Sequence, residues 1–423
     1  MLRHVKSLSF LWSGSLIGSG STFLTFILLA KVLGPQDFGS FSSVLSLINL
    51  FTLAAVFGLS QLWLKLFGSF GWEAISWVKP SLRFSLMILF ISSAVLTIWS
   101  FIGPHDANTK HLTLVMIVFL FSNVSLQFVI SKFQLEEAYS KISLIQVIPN
   151  LLRLILVYTF SVYTTEKFTV IYVGYIYAFI AFFTIIFNSR QLFSLSNGHI
   201  DLKGHKRKKK LSNNSINFRN IYRETWPFAL STIFAFIYIQ SDIILLKYIS
   251  GDSEAGYYNV SFVIISALLM FPSIIFSKFL LPKYHRWAKL DKDKLFLVYK
   301  KSNIIMLFTG GLGLFVMFFI HKTLVIQFFG REYIDSLGSL KIMILTIPIY
   351  FLSYSVGATL ITGEYMRVKV KVMGGVALLN ILLNIIFIPS YGAQGAAFTT
   401  LISNAVLLFL YIYIAKKVVF KGY

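Results

Sequence analysis

Residues 142–163 read ISLIQVIPNLLRLILVYTFSVY, an apolar segment with a single arginine, Arg153, near its centre. About 20 predominantly apolar residues are enough to cross the ~30 Å hydrocarbon core of a bilayer as a helix. A charge at that depth costs roughly 3 kcal/mol on insertion scales, so membrane proteins usually turn such a side chain toward a water-filled cavity or an anionic partner. The segment therefore predicts a transmembrane helix that carries a functional cation.

The rest of the chain has the same apolar character. Of its 423 residues, 57% are hydrophobic and only 13% are charged, whereas soluble domains carry about 25% charged residues. Only helices and closed barrels satisfy their backbone polar groups in lipid. Because the apolar segments are continuous and do not alternate with polar residues, helices are favoured over a barrel. The predicted fold class is an all-α polytopic membrane protein.

Twelve segments are candidate spans, and turn signals separate those that follow one another closely. Such signals occur at residues 34–37 and 389–392. The basic start, residues 1–6, precedes an apolar run with no small-residue cleavage site, which favours a retained helix over a signal peptide. The predicted spans are 9–33, 38–64, 82–102, 111–131, 142–163, 168–189, 224–246, 256–280, 303–325, 340–362, 370–388 and 395–415.

The formal net charge is +22, and the basic residues lie between the apolar segments. That placement fits membrane orientation and anionic lipid headgroups better than nucleic acid. Most of the 38 Lys and Arg residues fall on the side of the N-terminus if the chain crosses twelve times, which predicts cytoplasmic termini. The run His205–Lys210 is predicted to be a positive-inside anchor, with a lipid-headgroup patch as the alternative.

The basic segment 191–223 divides the chain into two predicted six-helix bundles, residues 1–190 and 224–423. A weak internal repeat crosses this division. Residues 28–33 align with 244–249 at an offset of 216, and residues 37–41 align with 254–258 at an offset of 217. Two halves in the same orientation imply a pseudo-twofold axis along the membrane normal, with a pathway between them.

The fifth predicted span carries three polar side chains on one face. Gln146, Asn150 and Arg153 are spaced by four and three residues, as helical neighbours are. Pro149 in the same turn weakens the local backbone hydrogen bonding. The favoured interpretation is a hydrophilic cavity wall on which Arg153 holds an anionic group. The alternative is an interhelical cluster in which Arg153 pairs with an acid.

Asp242 is the one clear acid within a predicted span. Three interpretations stay open: a position near the outer interface, because Lys247 follows soon after; a proton or sodium site; or a countercharge for Arg153. Asn380 and Asn384 share a face of the eleventh span, and hydrogen bonding between helices is favoured over pathway lining for them.

Several function classes are disfavoured by what the sequence lacks. There are no cysteines, no P-loop and no His, Asp and Glu cluster with metal-ligand spacing. No long loop is predicted on the outer side, where an enzyme acting on lipid-linked sugars would hold its catalytic groups. We therefore expect no catalytic residues, no cofactor and no metal, and a transporter in preference to an enzyme.

Three short motifs carry a family resemblance. The chain resembles the bacterial polysaccharide repeat-unit flippases, the O-antigen and capsule exporters of the multidrug/oligosaccharidyl-lipid/polysaccharide exporter superfamily. The resemblance rests on the twelve-span plan and covers nearly the whole chain. The motifs are AKVLGPQDFG at 30–39, AGYY at 255–258 and YGAQGAA at 391–397.

The resemblance implies two bundles around a cationic lumen that pass undecaprenyl-diphosphate-linked oligosaccharide from the cytoplasmic to the periplasmic leaflet of the bacterial inner membrane. It implies membrane lipids, a polymerase and other polysaccharide-assembly proteins as partners. Arg153 fits a lumen cation for the diphosphate, and Lys31 and Lys247 are candidates for the outer mouth. A cation-coupled multidrug exporter of the same superfamily and a peptidoglycan-precursor flippase are the alternatives. The candidate cavity residues are Gln146, Asn150, Arg153, Asp242, Lys31 and Lys247.

Overall fold

The structure, a computed structural model, describes residues 2–163, 168–203, 216–360 and 365–421. The predicted anchor His205–Lys210 lies outside the described residues. In the described ranges the secondary structure is entirely helical, as the fold-class prediction requires. The first six helices are α1 (Leu2–Val56), α2 (Leu59–Phe70), α3 (Ile75–Ile102), α4 (Ala107–Leu135), α5 (Tyr139–Tyr163) and α6 (Val170–Ser196). The others are α7 (Phe218–Ser250), α8 (Asp252–Ser273), α9 (Leu281–Leu290), α10 (Lys292–Leu324), α11 (Ser336–Ile344), α12 (Thr346–Thr359) and α13 (Met366–Ile414).

Eight helical stretches in the described ranges are long and apolar enough to cross a membrane, and a ninth arises if the bent pair α11 and α12 is one span. The chain bends by 44° between these two helices. This number is smaller than the predicted twelve because several predicted spans are joined into longer stretches, such as Ser13–Ile102 and Met366–Val419. The count of twelve stays a prediction.

Glycines break two of the long helices at the predicted turns. Gly34 in α1 and Gly392 in α13 have non-helical backbone angles, with φ values of 73° and 51°. Residues other than glycine rarely adopt positive φ, so glycine suits both breaks.

The break at Gly392 makes α13 a hairpin of two antiparallel legs. The Thr399 hydroxyl donates to the Asn384 side-chain oxygen at 2.6 Å, and the rings of Phe387 and Phe398 lie 5.4 Å apart. In a continuous helix, residues 15 positions apart would be separated by about 22 Å. The Glu254 carboxylate accepts from the Ala393 backbone N–H at 2.6 Å and so caps the start of the second leg.

The chain forms two compact units. The first contains Met1–Leu33 and Val44–Ile233, and the second contains Gly34–Ser43 and Phe234–Tyr423. Each unit therefore includes a short segment from the other half of the sequence. The division falls inside α7, after the basic segment in which the sequence placed a linker.

In the first unit, α4, α5 and α6 pack together, and the beginning of α7 packs against the end of α1. Tyr222 stacks on Phe57 with 5.7 Å between ring centroids. A Cβ at Gly58 would approach the backbone N of Ala229 to 2.7 Å, so α7 comes very close to the chain there. Gly14 and Gly18 face α5: a Cβ at Gly14 would collide with the Ser143 side chain, and one at Gly18 would lie in ordinary contact with the Gln146 carbonyl. Small residues are common where transmembrane helices meet.

In the second unit, the segment Gly34–Ser43 packs against α7 and α8. Asn259 donates to the Ser42 hydroxyl at 2.6 Å, and a Cβ at Gly39 would collide with the backbone of Asp252. Gly256 makes the reciprocal approach to the Pro35 carbonyl. The two glycines are related by the 217-residue offset of the sequence repeat, so the repeat marks a close crossing of backbones.

Candidate functional site

Arg153 lies between two aromatic rings in the first unit. Its guanidinium carbon is 4.7 Å from the ring centroids of both Phe119 in α4 and Tyr177 in α6. These two rings meet edge to face, 5.3 Å apart. Cation–π contacts of this kind are worth about 0.5–2 kcal/mol. The aromatic pair therefore holds a positive charge inside the bundle without neutralising it.

The polar neighbours on α5 orient the guanidinium. Arg153 Nη1 donates to Asn150 Oδ1 at 2.9 Å, and Asn150 Nδ2 donates to the backbone carbonyl of Gln146 at 3.0 Å. Arg153 and Asn150 are thus linked through their side chains, whereas Gln146 takes part through its backbone carbonyl. The spacings of four and three residues place all three residues on one face of α5.

Arg153 has no carboxylate partner among the described residues. Its Nε is buried and has no hydrogen-bond acceptor there. A guanidinium carries five N–H donors in a planar fork that suits bidentate binding of phosphate. The cluster is therefore chemically able to bind an oxyanion.

Asp242 in α7 is buried in the second unit, with 1% of its surface exposed. One carboxylate oxygen accepts from Tyr258 Oη at 2.6 Å and from Thr400 Oγ1 at 2.8 Å. The other accepts from Asn384 Nδ2. All three donors are neutral, so the carboxylate is hydrogen-bonded and has no countercharge in the part of the chain that the structure describes.

A wider polar network surrounds this carboxylate and joins α7 to both legs of α13. Asn384 and Ser241 both donate to Asn380 Oδ1 at 3.1 Å, while Asn380 Nδ2 is buried without a described partner. Tyr238 donates to Asn404. The stripe of Asn380 and Asn384 therefore serves hydrogen bonding between helices, the alternative that the sequence favoured.

The two lysines predicted at the outer mouth lie in different surroundings. Lys247 has only 4% of its side chain exposed, and its ammonium group pairs with Asp252. Lys31 is exposed, three residues before the break at Gly34, and forms no ion pair with the described residues. Of the two, Lys31 has the ammonium group that is available to an external anion.

Sequence reasoning did not identify the side chains that complete these two clusters. Phe119 and Tyr177 are two of 43 phenylalanines and 21 tyrosines, and nothing local distinguishes them. Tyr258 belongs to the quoted AGYY motif, but the motif gave it no chemical role. Thr400 shares a helical face with Asn404, four residues on, and the sequence analysis did not single out this polar pair.

Comparisons with known proteins agree with this architecture. The chain is 23% identical to the capsular polysaccharide biosynthesis protein CapF of Staphylococcus aureus over 98% of its own length and 100% of that protein. Its fold is similar to that of the lipid II flippase MurJ in an inward closed conformation, with a TM-score of 0.71, 14% identity, and coverage of 96% of this chain and 87% of the other.

An inward-facing multidrug resistance transporter of the MATE family, in the MOP superfamily, has a similar fold as well. The TM-score is 0.68 with 16% identity, and the match covers 97% of this chain and 98% of the transporter. These likenesses establish the fold. The sequence of residues 4–287 matches the family described as polysaccharide biosynthesis protein. Because that match spans more than half of the chain, the protein belongs to this polysaccharide biosynthesis family, which confirms the predicted resemblance.

Proposed function

We propose that the protein is a flippase that moves undecaprenyl-diphosphate-linked oligosaccharide repeat units from the cytoplasmic to the periplasmic leaflet by alternating access. The observation that carries the proposal is the positive charge of Arg153, which has no carboxylate partner among the described residues and keeps a buried, unbonded Nε. A diphosphate is the part of such a lipid that is most costly to bring into hydrocarbon. A guanidinium offsets that cost with charge-assisted hydrogen bonds.

The relatives support the chemistry of the substrate. CapF acts in capsular polysaccharide biosynthesis, and MurJ is a lipid II flippase by name. Both names concern glycans or glycolipids of the cell envelope. A cationic drug, the substrate of the alternative exporter, would be repelled by Arg153. This electrostatic sign favours the lipid-linked oligosaccharide over the drug.

Asp242 is the candidate coupling site within this proposal. A buried carboxylate surrounded by side-chain oxygens can bind a proton, or sodium if the neighbouring amides and hydroxyls turn their oxygens toward it. Its hydrogen bonds join α7 to both legs of α13. Loss or gain of its charge would therefore change how these helices are held together.

The test of the proposed function is a deletion strain of the host bacterium. We expect lipid-linked repeat units to accumulate on the cytoplasmic side, and wild-type protein to clear them on complementation. Complementation with the Arg153→Ala variant should leave them accumulated. Unchanged glycolipids combined with altered drug sensitivity would contradict the proposal and favour the multidrug exporter.

A further inference from the structure

A groove of about 710 Å³ runs along the first unit between α5 and α6. One wall consists of Leu144, Ile148 and Leu152, and the other of Phe179, Phe183 and Phe187. Each triplet is spaced by four residues, so each lies along one face of its helix. All six side chains are exposed. In a protein that crosses a bilayer, an exposed apolar groove of this kind faces lipid chains.

The groove has the length of one membrane leaflet. Its α5 wall extends from Leu144 to Leu156, which at 1.5 Å per residue is about 18 Å. The hydrocarbon core is ~30 Å thick, so half of it is about 15 Å. A single extended lipid chain that starts at the membrane surface would therefore lie along the groove as far as the bilayer midplane.

One end of the groove is polar and basic. Lys141, Asn188 and Gln191 line it there. Lys141 is exposed, lies 5.4 Å from the Phe133 ring and has no ion pair among the described residues. Gln191 accepts a hydrogen bond of 2.7 Å from Lys132. The positive charge at this end complements a phosphate headgroup at the level of the membrane interface.

We propose that this groove binds the polyprenyl chain of the lipid-linked substrate in the cytoplasmic leaflet, with the diphosphate at Lys141. This inference rests on the proposed function. Lipid chains are as apolar as the groove, so burial alone gives no preference, and selectivity comes from close packing. Aromatic and branched walls fit a single methyl-branched chain, whose methyl groups and double bonds gain dispersion contacts with them. A lipid with two flexible acyl chains fills one narrow groove less well.

The groove and Arg153 lie on the same helix. Leu152 lines the groove, and Arg153 is the next residue, with its guanidinium on the other side against Tyr177. Lys141 and Arg153 are 12 residues apart, about 18 Å along α5. The headgroup would pass from the lysine to the arginine while the chain stays in contact with α5. Pro149, which lines the groove, weakens α5 between the two cations.

The experiment compares two equivalent isoleucines on α5. Ile148 lines the groove, whereas Ile155 does not, and both are 49% exposed. Binding of undecaprenyl diphosphate and of geranyl diphosphate is measured on the purified full-length protein in nanodiscs. Wild type should bind the long chain more tightly. Ile148→Trp fills the groove and should lower the long-to-short affinity ratio about fivefold through lost dispersion contacts, while Ile155→Trp should keep the wild-type ratio.

A second variant separates the headgroup from the chain. Lys141→Gln should weaken both probes alike, by about threefold, as expected for one charge near the membrane surface. No chain-length preference in wild type, or equal ratios for Ile148→Trp and Ile155→Trp, would overturn the inference and indicate that ordinary bilayer lipid covers the groove. In that case lipid-linked repeat units that accumulate in the deletion strain would still support the proposed function. A deletion strain without accumulation would remove the proposed function itself.

Discussion

Arg153 in the first unit and Asp242 in the second are both charged side chains within apolar helices, and the two charges are treated in opposite ways. Asp242 in the second unit accepts hydrogen bonds from Tyr258, Thr400 and Asn384 and has 1% of its surface exposed. Arg153 in the first unit has one described hydrogen bond, to Asn150, and otherwise lies against aromatic rings. A saturated charge holds helices together, whereas an unsaturated one keeps donors free for a ligand. Mutation of Arg153 should therefore act mainly on transfer, whereas mutation of Asp242 should act on stability as well as on coupling.

The largest effect is expected for export by Arg153→Ala. Loss of charge-assisted hydrogen bonds worth about 3 kcal/mol corresponds to a decrease of roughly 100-fold in the transfer rate. Arg153→Lys keeps a point charge without the bidentate fork, so about a tenth of the activity should remain. The measurement is transfer of lipid-linked oligosaccharide across reconstituted vesicles, together with thermal stability in detergent.

The control for this variant is Arg190→Ala, which removes an exposed arginine from α6 of the same unit. Its transfer rate should match wild type. If Arg153→Ala loses thermal stability as strongly as it loses transfer, Arg153 is a structural residue. The contrast between the two units would then disappear.

Asp242→Ala is expected to give the largest loss of stability. It leaves the donors of Tyr258, Thr400 and Asn384 buried without an acceptor, and each such group costs about 1–3 kcal/mol. The free energy of unfolding should fall by about 3 kcal/mol or more, measured by denaturation in detergent. Asp242→Asn keeps one oxygen acceptor but turns an amide toward the Asn384 amide, so a smaller loss is expected.

Asp201→Ala is the matched control because Asp201 is an exposed acid, 75% accessible, whose partner Lys203 is exposed as well. Exposed ion pairs contribute at most about 1 kcal/mol. Equal stabilities of the Asp242→Ala and Asp201→Ala proteins would contradict a structural role for the hydrogen-bonded network.

Much of the fold could be predicted because the constraints of a bilayer act locally. Apolar segment length predicts membrane helices, and the turns at Gly34 and Gly392 were both predicted from short runs of turn residues. The exchange of segments between the units could not be predicted in this way. It depends on the close approaches of Gly39 and Gly58 to helices far away in sequence. A glycine in the sequence does not indicate which helix packs against it.

The candidate site was predictable only in part, for a similar reason. Arg153 stands out because an isolated charge in hydrocarbon is costly. Asp242 was harder to place because Lys247 suggested a nearby membrane surface. The structure explains the ambiguity: Lys247 is itself buried and paired with Asp252, which comes directly after the turn at Gly251. A lysine near the end of a span thus does not establish that the preceding turn is exposed.

A smaller effect on stability is expected at the hairpin of α13. Gly392 has a φ of 51°, and a Cβ there would collide with the Glu254 carboxylate that caps the second leg. Gly392→Ala should cost about 2 kcal/mol of unfolding free energy from backbone strain and a displaced cap. Gly375 lies in the first leg and has open space around its Cα, so Gly375→Ala should stay within about 1 kcal/mol of wild type. Similar losses for both would show that the hairpin tolerates other residues at its turn.

The smallest effects are expected for the two lysines, and they repeat the contrast of the larger charges. Lys247→Met leaves the partly exposed Asp252 without its partner and should cost about 1–2 kcal/mol of unfolding free energy with little further effect on transfer. Lys31→Met removes an exposed ammonium group and should leave stability unchanged. Because Lys31 is the predicted cation at the outer mouth, its loss should make transfer about threefold slower at low salt. Because salt screens exposed charges, that difference should vanish at high ionic strength. If both variants instead lose stability and keep full transfer at low salt, the exposure of a lysine side chain does not indicate whether it contacts the substrate or stabilises the fold.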